Sequence, residues 1–131
     1  LYHEYVPLFQ SNPVASNMTS LVRFAVEGQM PVYPRGRAAP APELKDFFLQ
    51  WVRLYRGEAR DVLMHGRHVK APRLTGEDVE DVFVSAFGPD DVATAVVLGN
   101  GAAMPRTCSF AAFGRRETVT LKPYELRVLR P

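Results

Sequence analysis

The spacing of the apolar residues changes near Glu58 from the period of a helix to the period of a strand. Before that point, bulky apolar residues recur at intervals of three and four, which places them on one face of an α-helix. The stripe consists of Leu44, Phe47, Phe48, Trp51, Val52, Leu54 and Tyr55, with Gln50 and charged residues on the polar side. After Glu58, apolar and polar residues alternate in short runs, as in half-buried β-strands. The fold therefore combines helices with many short strands, and a sheet or barrel has to cover the aromatic stripe.

The first 56 residues predict an alternation of strands and helices. Tyr2 to Val6 is a short β-rich run that ends before a turn. A helix capped by Ser16 and ended by Gly28 follows, and residues 30–33 form a second short strand. After a loop rich in Pro, Ala and Arg, Pro42 suits the first position of the helix that carries the aromatic stripe. This order predicts a parallel sheet with helical crossovers.

From Glu58 onward the pattern predicts an antiparallel all-β fold. The strand candidates are Asp61 to His65, Val82 to Phe87, Ala93 to Leu98, Thr107 to Phe113, Glu117 to Leu121 and Tyr124 to Leu129. Gly66 to Asp81 is predicted to be the longest irregular link, and Gly99-Asn100-Gly101 is predicted to be a turn. Short, closely spaced strands separated by such turns are typical of a sandwich or a small barrel.

The composition argues against several classes of function. The net charge is +2 and the basic residues are scattered, which argues against a nucleic-acid interface. No apolar run approaches the roughly 20 residues that a membrane helix needs. The single cysteine, Cys108, excludes intrachain disulfides and is expected to be buried and unreactive. His65 and His68 have no third ligand at a suitable spacing, so the sequence predicts a solvated turn there, and neither a metal nor a cofactor.

The order of the elements resembles that of a known group of enzymes. The segments that carry the resemblance are Tyr2-His3-Glu4-Tyr5, Phe24 to Pro31, the helix end Tyr55-Arg56, Val62 to Gly66 and Val119 to Leu129. A βαβα segment followed by a terminal all-β domain is similar to the C-terminal part of glycoside hydrolases of the α-galactosidase-like type, and looks closest to bacterial hydrolase-like proteins. The fold class that this implies is an α/β remnant, the last βαβα units of a TIM-type (β/α)8 barrel, followed by an antiparallel β-sandwich. The implied barrel end is 1–57 and the implied sandwich is 58–131.

The same resemblance implies the place of a site. Leu1 to Val6 would end the seventh barrel strand and Gln29 to Tyr33 would form the eighth. Functional groups in such barrels follow the carboxyl ends of the strands. The residues placed there are His3, Glu4, Tyr5 and Gln10 after the first of these strands, and Tyr33 and Arg35 after the second. A carbohydrate substrate is the implied ligand.

Glu4 is the catalytic candidate of this set, because glycoside hydrolysis needs carboxyl groups on both sides of the scissile bond. The other five residues are candidate substrate contacts. Side chains alternate along a strand, so His3 and Glu4 would act together only where the strand has opened into a loop. Tyr5 suits stacking on a sugar ring and equally suits a core position. The second carboxyl group has no good candidate here, so a complete pair would involve the upstream part of the barrel.

Three functional hypotheses follow. The first is a C-terminal fragment of a carbohydrate-active hydrolase, inactive by itself, whose sandwich covers and stabilises the barrel; the absence of an initiator Met fits this expectation. The second is a non-catalytic carbohydrate-binding or protein-docking β-sandwich module. The third is a self-contained α+β domain whose two N-terminal strands join the later sheet. A binding sandwich should present aromatic rings on an open face, whereas a sandwich that closes a barrel should bury them.

Overall fold

The computed structural model describes residues 8–9, 18–30 and 42–131. The helices are α1 (Met18–Val26), α2 (Pro42–Arg56) and α3 (Arg60–Leu63). The strands are β1 (Leu8–Phe9), β2 (Gln29–Met30), β3 (His68–Val69), β4 (Val82–Phe87), β5 (Ala95–Asn100), β6 (Arg106–Ala112), β7 (Arg115–Leu121) and β8 (Leu126–Leu129). A 3-10 turn at Val79–Asp81 leads into β4. No helix in these ranges is long and apolar enough to span a membrane.

The described strands form three sheets, and the protein is a small α/β protein with antiparallel sheets. β1 and β2 pair in parallel. The order β3-β4-β5-β8 gives a four-stranded antiparallel sheet, and β6 and β7 form an antiparallel hairpin. The third hypothesis required the two N-terminal strands to join the antiparallel sheet. In the described part of the chain, β1 and β2 pair with each other and not with that sheet.

Both long helices form where their sequence signals place them. α1 ends just before Gly28, which adopts a φ of 82° that a glycine tolerates without strain. α2 begins at Pro42 and ends one residue before Gly57, as predicted. The aromatic rings of its stripe are buried, and Phe48 stacks on Trp51 with 5.6 Å between ring centroids. The prediction that this stripe packs in the core is confirmed.

β5 lies between two apolar cores, and each of its residues is buried. Its alternating side chains belong to two separate apolar cores. Ala95 and Val97 join the core that also contains α1 and α2. Val96 and Leu98 join a second core with Phe110 and the rest of the hairpin. The antiparallel sheet therefore has helices on one face and the β6–β7 hairpin on the other, an arrangement consistent with a β-sandwich.

The core between helices and sheet includes residues from both sides of position 57. Leu21, Trp51 and Val97 are members of the same cluster, although α1 and α2 precede that position and β5 follows it. The division of the chain into 1–57 and 58–131 stays a prediction.

The prediction of a strand at Asp61 to His65 is wrong, because α3 covers Arg60–Leu63. Val62 and Leu63 are adjacent in sequence and both are buried. In a strand with one exposed face, adjacent side chains point to opposite faces and only one of the two would be buried. The Leu63 N–H donates to the Ala59 carbonyl at 2.8 Å, which closes a helical turn beneath α2. The three-residue apolar run Val62-Leu63-Met64 is too short for its period to separate a strand from a helix.

The remaining strand predictions are close to the structure. β4 has the predicted bounds, and β5, β6, β7 and β8 begin and end within two residues of theirs. The link between α3 and β4 is mostly irregular, as predicted, and contains the two-residue strand β3 and the 3-10 turn.

Candidate functional site

In the sequence, the predicted site residues lie close to the two strands of the parallel pair. Leu8 lies opposite Gln29 and Phe9 lies opposite Met30, so both strands end at the same edge. Gln10 comes directly after β1, and Tyr33 comes three residues after β2. In (β/α)8 barrels, functional groups follow the carboxyl ends of the strands.

All six predicted site residues lie outside the described ranges. They are His3, Glu4, Tyr5, Gln10, Tyr33 and Arg35. Their roles as catalytic or substrate-binding residues stay predictions. The described strand β1 begins after Pro7, whereas the sequence predicted a strand that ends before Pro7. In the sequence, His3, Glu4 and Tyr5 therefore precede β1, and Gln10 follows it.

α1 is fixed to the rest of the protein at both of its ends. The Thr19 hydroxyl donates to the Gly101 carbonyl at 2.7 Å. At the other end, the Ser85 hydroxyl donates to the Val26 carbonyl at 2.5 Å, and the Tyr55 hydroxyl donates to the Gly28 carbonyl at 2.7 Å. Burial raises the pKa of Tyr55 to about 12, so its hydroxyl stays protonated and remains a donor at neutral pH. These bonds set the position of α1, and through it the parallel pair, relative to the antiparallel sheet.

α2 is joined to the antiparallel sheet by Gln50. Its side-chain N–H donates to the Tyr124 carbonyl at 3.0 Å, and its side-chain oxygen accepts the Leu126 N–H at 2.9 Å. The amide thus bonds to the backbone at the start of β8 as a neighbouring strand would. The sequence placed Gln50 on the polar side of the helix and gave no signal for this tertiary role.

Asn100 organises the loops at one end of the antiparallel sheet. The prediction that Gly99-Asn100-Gly101 forms a turn is wrong for its first two residues, which belong to β5 and are buried. The Asn100 amide donates to the carbonyls of Met104 at 2.8 Å and Lys122 at 3.1 Å. Its side-chain oxygen accepts the Ala102 N–H at 2.9 Å. One side chain therefore connects the β5–β6 loop to the turn before β8.

Two open clefts of about 360 Å³ each lie among the described residues. One lies between α3 and the β4–β5 turn and is lined by Asp61, Arg67, Phe87, Asp90 and Thr94, among others. The second lies beside the start of β6 and is lined by Thr75, Glu77, Asp78, Arg106 and Ser109, among others. Their carboxylates and hydroxyls suit polar ligands, but neither cleft includes a residue that the sequence singled out as a site.

Asp61 in the first cleft is held by the C-terminal end of the chain. Both of its oxygens accept bonds from the Arg130 guanidinium, at 2.7 and 3.0 Å. Arg130 also donates to the Glu58 carbonyl at 3.0 Å. The hydrogen bonds from Arg130 lower the pKa of Asp61 below its usual range. A carboxylate that is ionised and doubly bonded is a poor proton donor, so Asp61 is a structural residue.

We expect Asp61→Asn to destabilise the protein by less than about 1 kcal/mol at neutral pH, because the pair is exposed to water. The lowered pKa means that the contribution is complete above about pH 4 and is lost as the pH falls through the lowered value. Urea unfolding of wild type and variant from pH 3 to pH 7, about 1 unit apart, measures this difference. Asp90→Asn, in the same cleft, is the control, because Asp90 is not among the residues that form ion pairs in the described ranges. A difference that grows toward low pH would contradict the assignment.

The remaining groups that could bind metals or act as nucleophiles do not form a site in the described part of the chain. His65 is exposed, and His68 packs against Phe87 with 4.4 Å between ring centroids. No cluster of three or more potential metal ligands is found among the described residues. Cys108 is buried, as predicted, and burial raises the pKa of its thiol.

Comparisons with known proteins identify no relative. No protein-family model matches the chain, and no curated protein or solved structure matches it.

Proposed function

We propose that this chain is the C-terminal part of a carbohydrate-active hydrolase built on a (β/α)8 barrel. In this proposal β1, α1, β2 and α2 belong to the last units of the barrel, and the antiparallel layers cover and stabilise it. The single observation that carries the proposal is the parallel pairing of β1 with β2 across the connecting helix α1.

A strand, a helix and a parallel strand make up the repeating unit of such a barrel. Parallel strands need cover on both faces and occur almost only in larger sheets. In the described part of the chain, β1 and β2 pair only with each other. Further barrel strands from upstream would pair with the remaining edges.

The packing of α1 and α2 supports a stabilising role for the antiparallel layers. Val22 and Trp51 are fully buried in the core that these helices share with β5. The buried indole N–H of Trp51 has no hydrogen-bond partner in the described ranges. Leaving such a donor unpaired costs about 1–3 kcal/mol, a cost that the burial of the large indole ring in this core offsets.

The alternative, a non-catalytic carbohydrate-binding or protein-docking module, predicts aromatic rings on an open face. Every described aromatic side chain is buried or half-buried. The large apolar side chains that are exposed in this part are Leu49, Val92 and Met104, and they lie on separate segments. This distribution favours the covering role over a stacking platform for sugars.

The test is hydrolysis of 4-nitrophenyl α- and β-galactosides and glucosides by the full-length protein that contains this chain. We expect release of nitrophenol by the wild type. Glu4→Gln should lower kcat at least about 100-fold with a small change in KM, because the variant loses a proton-transferring or nucleophilic carboxyl group.

Glu27→Gln is the matched control for that variant. Glu27 is half-exposed next to the end of α1 and forms a 3.8 Å ion pair with Arg23, so its replacement should leave kcat unchanged. Equal activity of Glu4→Gln and wild type would show that Glu4 is not catalytic. A wild-type protein that hydrolyses none of the four glycosides but binds galactose or glucose in calorimetry would favour the non-catalytic alternative.

A further inference from the structure

The cleft beside the start of β6, which we call the β6 cleft, combines charged groups of both signs with a set of hydroxyls. Its volume of about 360 Å³ falls within the roughly 300–1,000 Å³ that is usual for small-molecule sites. The polar side chains that line it carry carboxylates, a guanidinium and hydroxyls; they are Glu77, Asp78, Arg106, Thr75, Thr107 and Ser109. Each of these residues belongs to the antiparallel part of the protein.

The two walls of the β6 cleft are fixed to each other through their backbones. Thr75 and Ser109 exchange two N–H···O=C bonds, each of 2.9 Å. Gly76 lies so close to β6 that a Cβ added to it would be 2.9 Å from the Thr107 carbonyl oxygen, and its φ of +140° favours glycine. The loop with the two carboxylates is therefore held against β6. A cleft arranged in advance loses less conformational entropy on binding than a mobile one.

Both walls keep charged groups available to a ligand. Glu77 and Asp78 are exposed and are not among the residues that form ion pairs in the described ranges. On the β6 wall, the Arg106 guanidinium donates to an Asp81 carboxylate oxygen at 3.3 Å and to the Pro105 carbonyl at 3.4 Å. A guanidinium has five N–H donors, so these two long bonds leave donors for a ligand.

The hydroxyls of β6 in the cleft are oriented by partners on β7. The hydroxyl oxygens of Thr107 and Thr120 lie 2.8 Å apart, and those of Ser109 and Thr118 lie 2.9 Å apart. A hydroxyl has one donor and two acceptor sites, so each of these pairs leaves capacity for a further hydrogen bond. β6 therefore presents two oriented hydroxyls beside the guanidinium.

The mixture of charges selects the class of ligand. An anion would be repelled by Glu77 and Asp78, and a cation would be repelled by Arg106. A neutral molecule with neighbouring hydroxyl groups meets neither repulsion. Its hydroxyls can donate to the carboxylates and accept from the guanidinium and from the hydroxyls of the cleft.

We infer that the β6 cleft binds a neutral saccharide, so that the antiparallel part has a ligand site of its own. The inference concerns described residues alone and does not rest on the proposed function. No aromatic side chain is among the described residues that line the cleft. Hydrogen bonds without ring stacking give weak binding, and we expect a Kd of about 1 mM or higher.

The first measurement is calorimetric titration of the full-length protein with maltose, lactose, sodium sulfate and glycine. We expect maltose or lactose to bind, and the anion and the zwitterion not to bind. Glu77→Gln should raise Kd about fivefold or more, because it removes a charge-assisted hydrogen bond. Glu80→Gln is the matched control: Glu80 is exposed and does not line the cleft, so Kd should be unchanged. Neither variant should change the unfolding midpoint, because both side chains are exposed.

The second measurement locates the bound saccharide. Carboxylates that are activated by a carbodiimide are coupled to an amine, and peptide mass mapping then gives the extent of labelling at each position. Glu77 and Asp78 should be labelled about fivefold or more slowly when the disaccharide occupies most of the sites. Glu80 should be labelled at the same rate with and without the disaccharide.

The outcomes separate this inference from the proposed function. Saccharide binding that Glu77→Gln weakens and Glu80→Gln does not, with protection at Glu77 and Asp78, supports the inference. Absence of saccharide binding, equal Kd values in both variants and wild type, or binding of sulfate or glycine in place of the saccharides overturns it. Cleft binding without hydrolysis of any of the four nitrophenyl glycosides would leave the inference standing and overturn the proposed function. Hydrolysis without cleft binding would do the reverse.

Discussion

Replacing Gly99 with valine is expected to lower the free energy of unfolding by more than about 3 kcal/mol. A Cβ at Gly99 would lie 2.5 Å from Val22 Cγ1 and 2.6 Å from Val26 Cγ2. Both contacts belong to branched, stiff side chains on α1, which cannot turn aside, so the helix would have to move off the sheet. Urea unfolding followed by the fluorescence of Trp51, the single tryptophan of this chain, measures the loss.

The control for that variant is Gly114→Ala. Gly114 has open space around its Cβ position but a φ of +72°, so alanine there should cost only the backbone strain of about 1–2 kcal/mol. A second test combines Gly99→Ala with Val22→Ala. Because Val22→Ala removes the nearest clashing atom, Gly99→Ala should cost less in that background than in wild type. Equal costs in both backgrounds would show that α1 does not rest on Gly99.

The contact of Gly99 with α1 differs from the elements that the sequence predicts, because it joins two distant parts of the chain. α2 was predicted because its apolar period, its first proline and its final glycine agree. β4 was predicted because its apolar run lies between clear turn signals. The sequence predicted Gly99 to lie in a turn, whereas it belongs to β5 and packs against α1. The contact of α1 with Gly99 became visible only in the folded chain.

The elements that sequence reasoning missed are those set by tertiary contacts. The run Val62-Leu63 lies in a helix because it packs beneath α2, and nothing within four residues carries that information. The helical pattern predicts Gln50 on the polar side of α2. In the structure, its side-chain amide bonds to the backbone of Tyr124 and Leu126 at the start of β8. Local propensity cannot predict a bond between residues more than 70 positions apart.

The predicted site residues lie outside the described ranges, so the location of the candidate site stays a prediction. The strand-helix-strand order was enough to predict a parallel pair, and β1 and β2 do pair in parallel. The identities of the catalytic groups depend on residues outside the described ranges and stay predictions.

Asn100 offers the second large stability test, and Asn100→Ala is expected to cost about 3–5 kcal/mol. The side chain is fully buried and bonds to four backbone groups, the carbonyls of Met104, Leu121 and Lys122 and the N–H of Ala102. Alanine would leave these groups without partners, at about 1–3 kcal/mol for each one that stays dry. Thr94→Ala is the control, because it removes one long, half-buried bond of 3.4 Å to the Phe87 carbonyl and should cost less than about 1 kcal/mol.

Hydrogen exchange separates a local role of Asn100 from a general loss of stability. We expect the amides of residues 101–104 and of Lys122, Tyr124 and Glu125 to lose protection in Asn100→Ala, while those of β6 and β7 away from this end keep theirs. Uniform loss of protection across the chain would contradict the local role.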